Sequence, residues 1–134
     1  MIKKILVVDD SAAVRHIYQM SLARYKCPVL SASTGVEGLK KLTLNPDVNL
    51  LIVDMHMPHM SGLEFINRVK EQEAFSNITV IAAILKEKEA DDFRKAFQVA
   101  EGILKKPFMS ADIHWAIGRL FPELALNPQC CLKH

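Results

Sequence analysis

Apolar residues along this chain fall into five short, dense runs, separated by stretches in which they recur at helical spacing. The densest run is Leu50-Leu51-Ile52-Val53, which follows Val48-Asn49 and leads straight into Asp54. Unbroken, partly β-branched sequence of this kind predicts a strand buried on both faces, as in parallel sheets covered by helices. Lys3 to Val8 predicts a first strand ending in Asp9-Asp10, and Pro28 to Ser33 a second, less apolar one nearer an edge. Ile78 to Leu85 predicts a fourth strand and Gly102 to Lys105 a short fifth, closed by Lys106-Pro107.

The intervening stretches predict helices. Ser11 is placed to cap a helix carrying Val14, Ile17, Tyr18, Leu22 and Tyr25 at helical spacing. Thr34-Gly35-Val36-Glu37 and Ser61-Gly62-Leu63-Glu64 both have capping-box spacing. The first opens a helix through Leu39 and Leu42 to about Asn45-Pro46, the second one with Leu63, Phe65, Ile66 and Val69 inside. Lys86 to Ala100 predicts a charge-rich helix with Phe93, Ala96, Phe97 and Ala100 as its inner face. Ser110 is expected to cap a last helix bearing Ile113, Ala116, Ile117 and Leu120, up to Phe121-Pro122. Strands alternating with helices predict an α/β fold, a parallel sheet with helices on both faces. The expected organisation is one domain over residues 1–122 and a flexible tail over 123–134.

Composition narrows the function without naming it. The 134 residues are half apolar and 24% charged, with a net charge of +2, ordinary for one globular domain. No basic stripe interleaved with aromatics argues for nucleic acid, and no apolar run is long enough to cross a membrane. The start lacks the apolar run and cleavage site of a secretory signal. Cys27, Cys130 and Cys131 make no disulfide framework, which suits a reducing, cytoplasmic setting.

The charges carry the chemistry. In a flavodoxin-like strand order of 2-1-3-4-5, strands one, three and five end at one crevice. Asp9 and Asp10 would arrive there from the first strand, Asp54 from the third, and Lys105 or Lys106 from the fifth. Three carboxylates together repel one another unless a cation sits among them. Oxygen ligands with room for water suit Mg²⁺. A lysine at the rim adds a positive charge aimed at an anion, so the set outlines a phosphoryl-transfer pocket in which a carboxylate attacks. Taken singly, Asp9-Asp10 would only cap a helix and Lys105-Lys106 only end a strand in solvent. Met55, Met57 and Met60 with His56 and His59 could form a soft-metal site, but methionines more commonly fill gaps. Cys130-Cys131 with His134 offers a further metal-binding possibility in the tail.

Asp9-Asp10, Asp54 followed by Met57-Pro58 and Gly62, and Lys106-Pro107, in this order and strand context, resemble the receiver domain of two-component response regulators from about Lys3 to Phe121. The resemblance implies Asp54 as phospho-acceptor. It implies Asp9, Asp10, Asp54 and the backbone carbonyl of His56 as Mg²⁺ ligands, and Lys106, before a cis proline, as the partner of the acyl phosphate. It also implies a histidine kinase or phosphotransfer protein as phosphodonor and a downstream protein target reached by contact, with no direct nucleic-acid or membrane partner. His56 and Lys86 stand where receivers tune dephosphorylation.

Two positions depart from the family. Receivers carry Ser or Thr at the end of strand four, where counting back from Lys106 gives Ile84; they carry an aromatic in strand five, where this chain has Ile103. Neither replacement can make the usual coupled movement of hydroxyl and ring. The expected behaviour is phosphorylation with an atypical switch. The alternative is a pseudo-receiver that docks on a partner without phosphorylation.

Overall fold

The computed structural model describes residues 1–88 and 90–124. Five parallel strands, β1 (Ile5–Val8), β2 (Val29–Ala32), β3 (Leu50–Asp54), β4 (Thr79–Leu85) and β5 (Gly102–Lys106), form one sheet in the order β2-β1-β3-β4-β5. Helices α1 (Ala12–Leu22), α2 (Gly35–Leu44), α3 (Gly62–Lys70), α4 (Ala90–Val99) and α5 (Ser110–Leu120) connect and cover them. This is the expected flavodoxin-like α/β architecture.

Alternation along each strand splits the core in two. Leu6, Val8, Leu51, Val53, Ala82 and Ile84 point to one face, beneath Leu42 of α2, Phe65, Ile66 and Val69 of α3 and Ala96 of α4. Ile5, Val7, Leu50, Ile52, Ala83 and Leu104 point to the other, beneath Tyr18 and Leu22 of α1 and Ile113, Ala116 and Ile117 of α5. β2, at the edge, is the least buried of the first four strands, as its composition predicts. Met55 and Met57 lie inside the first core with Met60 packed against it, so these methionines fill gaps.

Several boundaries and faces differ from expectation. α4 starts at Ala90, because Lys86 to Lys88 form a turn pinned by Lys86 N–H donating to the Lys106 carbonyl at 3.0 Å. On α4 the inward stripe passes through Phe93, Ala96, Val99 and Ala100, leaving Phe97, one position round the helix, 64% exposed. Ile17 likewise faces outward, while Val14, Tyr18 and Leu22 face in. Tyr25 falls in a 3₁₀ turn beyond α1, where its hydroxyl meets His114 Nδ1 at 2.8 Å. Ser110 is the first residue of α5 and not its cap: Met109 takes that place, its N–H donating to Asp112 Oδ2 at 2.8 Å, and Ser110 Oγ lies 2.6 Å from Ser21 Oγ.

The two capping boxes are half formed. Thr34 Oγ1 and Ser61 Oγ each accept from the N–H three residues on, at 3.1 and 3.2 Å. Glu37, however, accepts from Ser33 N–H, and Glu64 turns to Arg68. Of the expected tail, Glu123 and Leu124 lie in a 3₁₀ turn, with Glu123 2.9 Å from the terminal ammonium. Cys130, Cys131 and His134 lie outside the described residues.

One glycine fixes the loop after β3. A methyl group on Gly62 would lie 2.3 Å from the Asp54 carbonyl oxygen and 2.5 Å from Met55 Cα, both backbone atoms that cannot swing aside. Gly62→Ala is therefore expected to lower stability by about 1–3 kcal/mol, the usual cost of overpacking, read as a lower denaturant midpoint at unchanged slope.

Candidate functional site

The site forms where the strands end. Val8 pairs with Val53 across β1 and β3, so the next residues, Asp9 and Asp54, emerge level with each other. On the far side of β3, Asp54 pairs with Ala83, which presents only a methyl group there. Lys106 ends β5, beyond β4, and its four-carbon stem spans that gap. Its Nζ donates to Asp9 Oδ2 at 2.9 Å and stands 3.5 Å from Asp54 Oδ1. Lys105 points the other way, its ammonium 5.7 Å from the Phe93 ring centre, so Lys106 is the lysine that enters the crevice. The Lys106-Pro107 bond is cis.

Backbone donors fix the acids. Ser11 N–H donates to Asp9 Oδ1 at 2.9 Å, and Ser11 Oγ caps α1 by accepting from Val14 N–H. Arg15, one turn along α1, donates from Nη1 to the Asp9 carbonyl at 2.7 Å, a hold that sequence reasoning missed. The sequence offers only an arginine early in the helix after Asp9-Asp10, with nothing to say which way it points. His56 N–H donates to Asp54 Oδ1 at 3.1 Å. Asp9 is wholly buried, Asp54 is 3% exposed, and Asp10 is open to solvent. One carboxylate oxygen from each of these three lies within 4.8 Å of the others.

Burial is the main reason the Asp54 carboxyl is held above its ordinary value of 3.8. The His56 N–H and the Lys106 ammonium act downward, the Asp9 charge and Asp10 upward. Burial also lowers the imidazole pKa of His56, with Lys88 adding to the effect; its Nε2 is buried with no partner among the described residues.

Because the folded carboxyl binds its proton more tightly than the unfolded one, stability falls as pH rises from 3.8 through the raised value. Without divalent ions, Asp54→Asn is expected to be more stable than wild type at pH 7, by roughly 1 kcal/mol. The advantage closes as pH drops towards 4. Thermal unfolding between pH 4 and 8 in chelator checks this.

The all-oxygen donor set fits a hard divalent ion. Two buried carboxylates anchor one side, and the exposed Asp10 leaves the other open to water, as Mg²⁺ requires.

The end of β4 offers no hydroxyl. Ile84 is 1% exposed, inside the core under α3 and α4, and Ile103 packs partly buried against the same core. Thr79 sits at the opposite end of the strand.

A doubly wound sheet with a buried acid at one strand end, a lysine reaching across to it and a cis proline after that lysine defines an open α/β domain with its charged groups gathered at the carboxyl ends of the strands, where such sheets bind ligands. The chain belongs to the response regulator receiver domain family, whose profile matches residues 5–118. It is 35% identical over 106 residues to the chemotaxis protein CheY1 of Helicobacter pylori, spanning 78% of this chain and 86% of that protein. It is 28% identical over 120 residues to the protein PilG of Pseudomonas aeruginosa, covering 90% and 88% of the two. Among solved structures it resembles chemotaxis response regulator CheY4 of Vibrio cholerae, with 27% identity and a TM-score of 0.80 over 90% of this chain and 99% of that one. Receiver domains are signalling modules of two-component systems and not classical enzymes. Among the described residues, no helix is long and apolar enough to cross a membrane.

Proposed function

We propose that this chain is a phospho-accepting receiver that takes a phosphoryl group on Asp54 from a histidine kinase or phosphotransfer protein. The observation that carries this reading is the single ammonium of Lys106 within reach of both buried carboxylates, Asp9 and Asp54. An ion pair serving stability alone would need only one of them.

Asp9, Asp10, Asp54 and the backbone carbonyl of His56 would hold Mg²⁺, which when bound neutralises charge on the phosphoryl oxygens. An Asp54 carboxylate oxygen attacks phosphorus in line. The new P–O bond forms as the bond to the donor breaks, a phosphohistidine nitrogen or the acyl oxygen of acetyl phosphate, and the leaving group keeps that electron pair. Lys106 moves from Asp9 to the transferred group and pairs with its oxygens. His56 N–H, already on Asp54, holds the acid in place. Water hydrolysing the acyl phosphate resets the site. At the two positions where receivers tune that step, this chain carries His56 and Lys86. The free thiol of Cys27 suits a reducing, cytoplasmic compartment.

Output is by contact. The groove between α4 and β5, lined by Lys86, Phe93, Arg94, Phe97 and Lys105, lies next to Ile84 and Ile103 and is the face offered to a downstream protein. A neutral hydrogen bond contributes only ~0.5–1.5 kcal/mol, so the missing strand-four hydroxyl leaves phosphoryl uptake feasible. Driving a switch from mostly off to mostly on takes several kcal/mol, so the conformational response is atypical.

The second reading, a pseudo-receiver that docks unmodified, is favoured by the end of β4, where Ile84 is packed into the core and Ala83, paired with Asp54, offers only a methyl group, so neither supplies a hydroxyl to a phosphate. Beryllofluoride with Mg²⁺ distinguishes the two by amide NMR. Resonances moving around Asp54, with a smaller response along α4 and β5, support the receiver. A spectrum unchanged at saturating reagent supports the pseudo-receiver.

A further inference from the structure

Tyr18 is a wholly buried side chain of α1, 1% exposed, and its hydroxyl has no hydrogen-bond partner among the described residues. Packing alone would be served better by Phe or Leu, since a buried hydroxyl left unsatisfied is costly. Its surroundings point to the crevice. α1 begins at the C-terminal ends of the strands, and helical side chains lean towards the helix N-terminus. The Tyr18 ring therefore leans up to the strand ends. There it stacks on Phe108, two residues past Lys106, with centroids 5.2 Å apart.

The sheet face agrees. Asp9 and Asp54 continue the alternation of Ile5 and Val7 and of Leu50 and Ile52, and those four pack in one core with Tyr18. After burial, the charges of Asp9 and Asp54 are the next causes holding the phenol pKa well above its ordinary value.

We propose that Tyr18 is a positioning residue for the acidic crevice, its hydroxyl donating through one ordered water to the Asp9–Asp54 carboxylate pair from beneath. A site with two carboxylates and a phenol gives such a water the partners it needs. Bridged in this way, the two carboxylates would be held in place for a divalent cation. This inference rests on the receiver reading above.

The test compares wild type, Tyr18→Phe and Tyr25→Phe by Mg²⁺ calorimetry, phosphoryl uptake from acetyl phosphate and thermal midpoint. It is joined by NMR of the wild type labelled with ¹³C at the tyrosine ζ-carbon. The Tyr18 resonance, assigned by its absence from Tyr18→Phe, is expected to shift on adding Mg²⁺ while that of Tyr25 stays. Tyr18→Phe is expected to bind Mg²⁺ about three- to tenfold more weakly, without a rise in thermal midpoint, and Tyr25→Phe to bind as wild type. A Tyr18 resonance unmoved by saturating Mg²⁺, or a Tyr18→Phe variant that melts higher and binds Mg²⁺ within twofold of wild type, overturns the proposal. Should Tyr18→Phe not fold, Tyr25→Phe still assigns the resonances and the wild-type spectrum decides. Wild type that neither binds Mg²⁺ nor accepts a phosphoryl group sinks the receiver reading instead.

Discussion

Asp54→Asn is expected to take up no phosphoryl group from acetyl phosphate and Mg²⁺ under conditions that modify most wild-type chains. Transfer needs a carboxylate oxygen with an available electron pair beside a site that can neutralise the incoming phosphoryl charge. Asp9 is the poorer nucleophile: one oxygen accepts from Ser11 N–H and the other takes the shorter of the two Lys106 contacts, 2.9 Å against 3.5 Å for Asp54. Asp10 is open to solvent, and among the described residues no ion pair places an ammonium on it as Lys106 stands near Asp54. The side-chain amide that the substitution introduces would still accept from His56 N–H, so the fold survives and only the nucleophile is lost. Intact-mass measurement gives the result directly. Equal labelling of Asp54→Asn and wild type would move the acceptor elsewhere.

Lys106→Met should show the second large effect, on stability instead of chemistry. The lysine is mostly buried and lies between Asp9, fully buried, and Asp54. Removing it leaves two buried carboxylates with each other and no cation. Breaking a buried charge pair in this way costs about 3–5 kcal/mol. The loss should be greatest at neutral pH in chelator. It should shrink in acid, where a carboxyl takes up a proton, and shrink again with Mg²⁺. Ligand held at a hundred times its dissociation constant adds about 2.7 kcal/mol to the protein that binds it, so the variant in saturating Mg²⁺ should approach the stability of wild type in chelator. Denaturant unfolding at pH 7 with and without Mg²⁺ measures both terms. A variant as stable as wild type in chelator would mean that the acids are already protonated together.

Strand positions and the three acids were legible because burial on both faces leaves an unbroken apolar run, and a carboxylate at the end of one has few places to go. Leu50 to Val53 followed by Asp54 is the clearest case. The choice between Lys105 and Lys106 stayed open on charge alone, though strand parity settles it: Lys106 is two past Leu104, on the face of Ile52 and Asp54. The start of α4 was misread because Lys86-Glu87-Lys88 has helix-forming composition. Lys86 N–H on the Lys106 carbonyl and Lys88 N–H on the Leu85 carbonyl hold it as a turn. Phe97 was misplaced because the buried stripe centres on Ala96 and runs on through Val99, which puts Phe97, about 100° further round, at its exposed edge. Arg15 on the Asp9 carbonyl and the buried, unpartnered Tyr18 hydroxyl depend on how α1 sits against β1 and on a ring contributed by Phe108. No local pattern encodes either.

The central claim is convergence: acids from two strands and an ammonium from a third share one cation and one phosphoryl group. Its most direct test is a crystal structure of the protein with Mg²⁺ and beryllofluoride. The expected result is beryllium bonded to an Asp54 carboxylate oxygen, Lys106 Nζ on a fluorine, and an octahedral ion about 2.1 Å from its oxygen ligands, with Asp10 and Asp54 among them. An empty crevice at saturating reagent, with Lys106 still on Asp9, would contradict it.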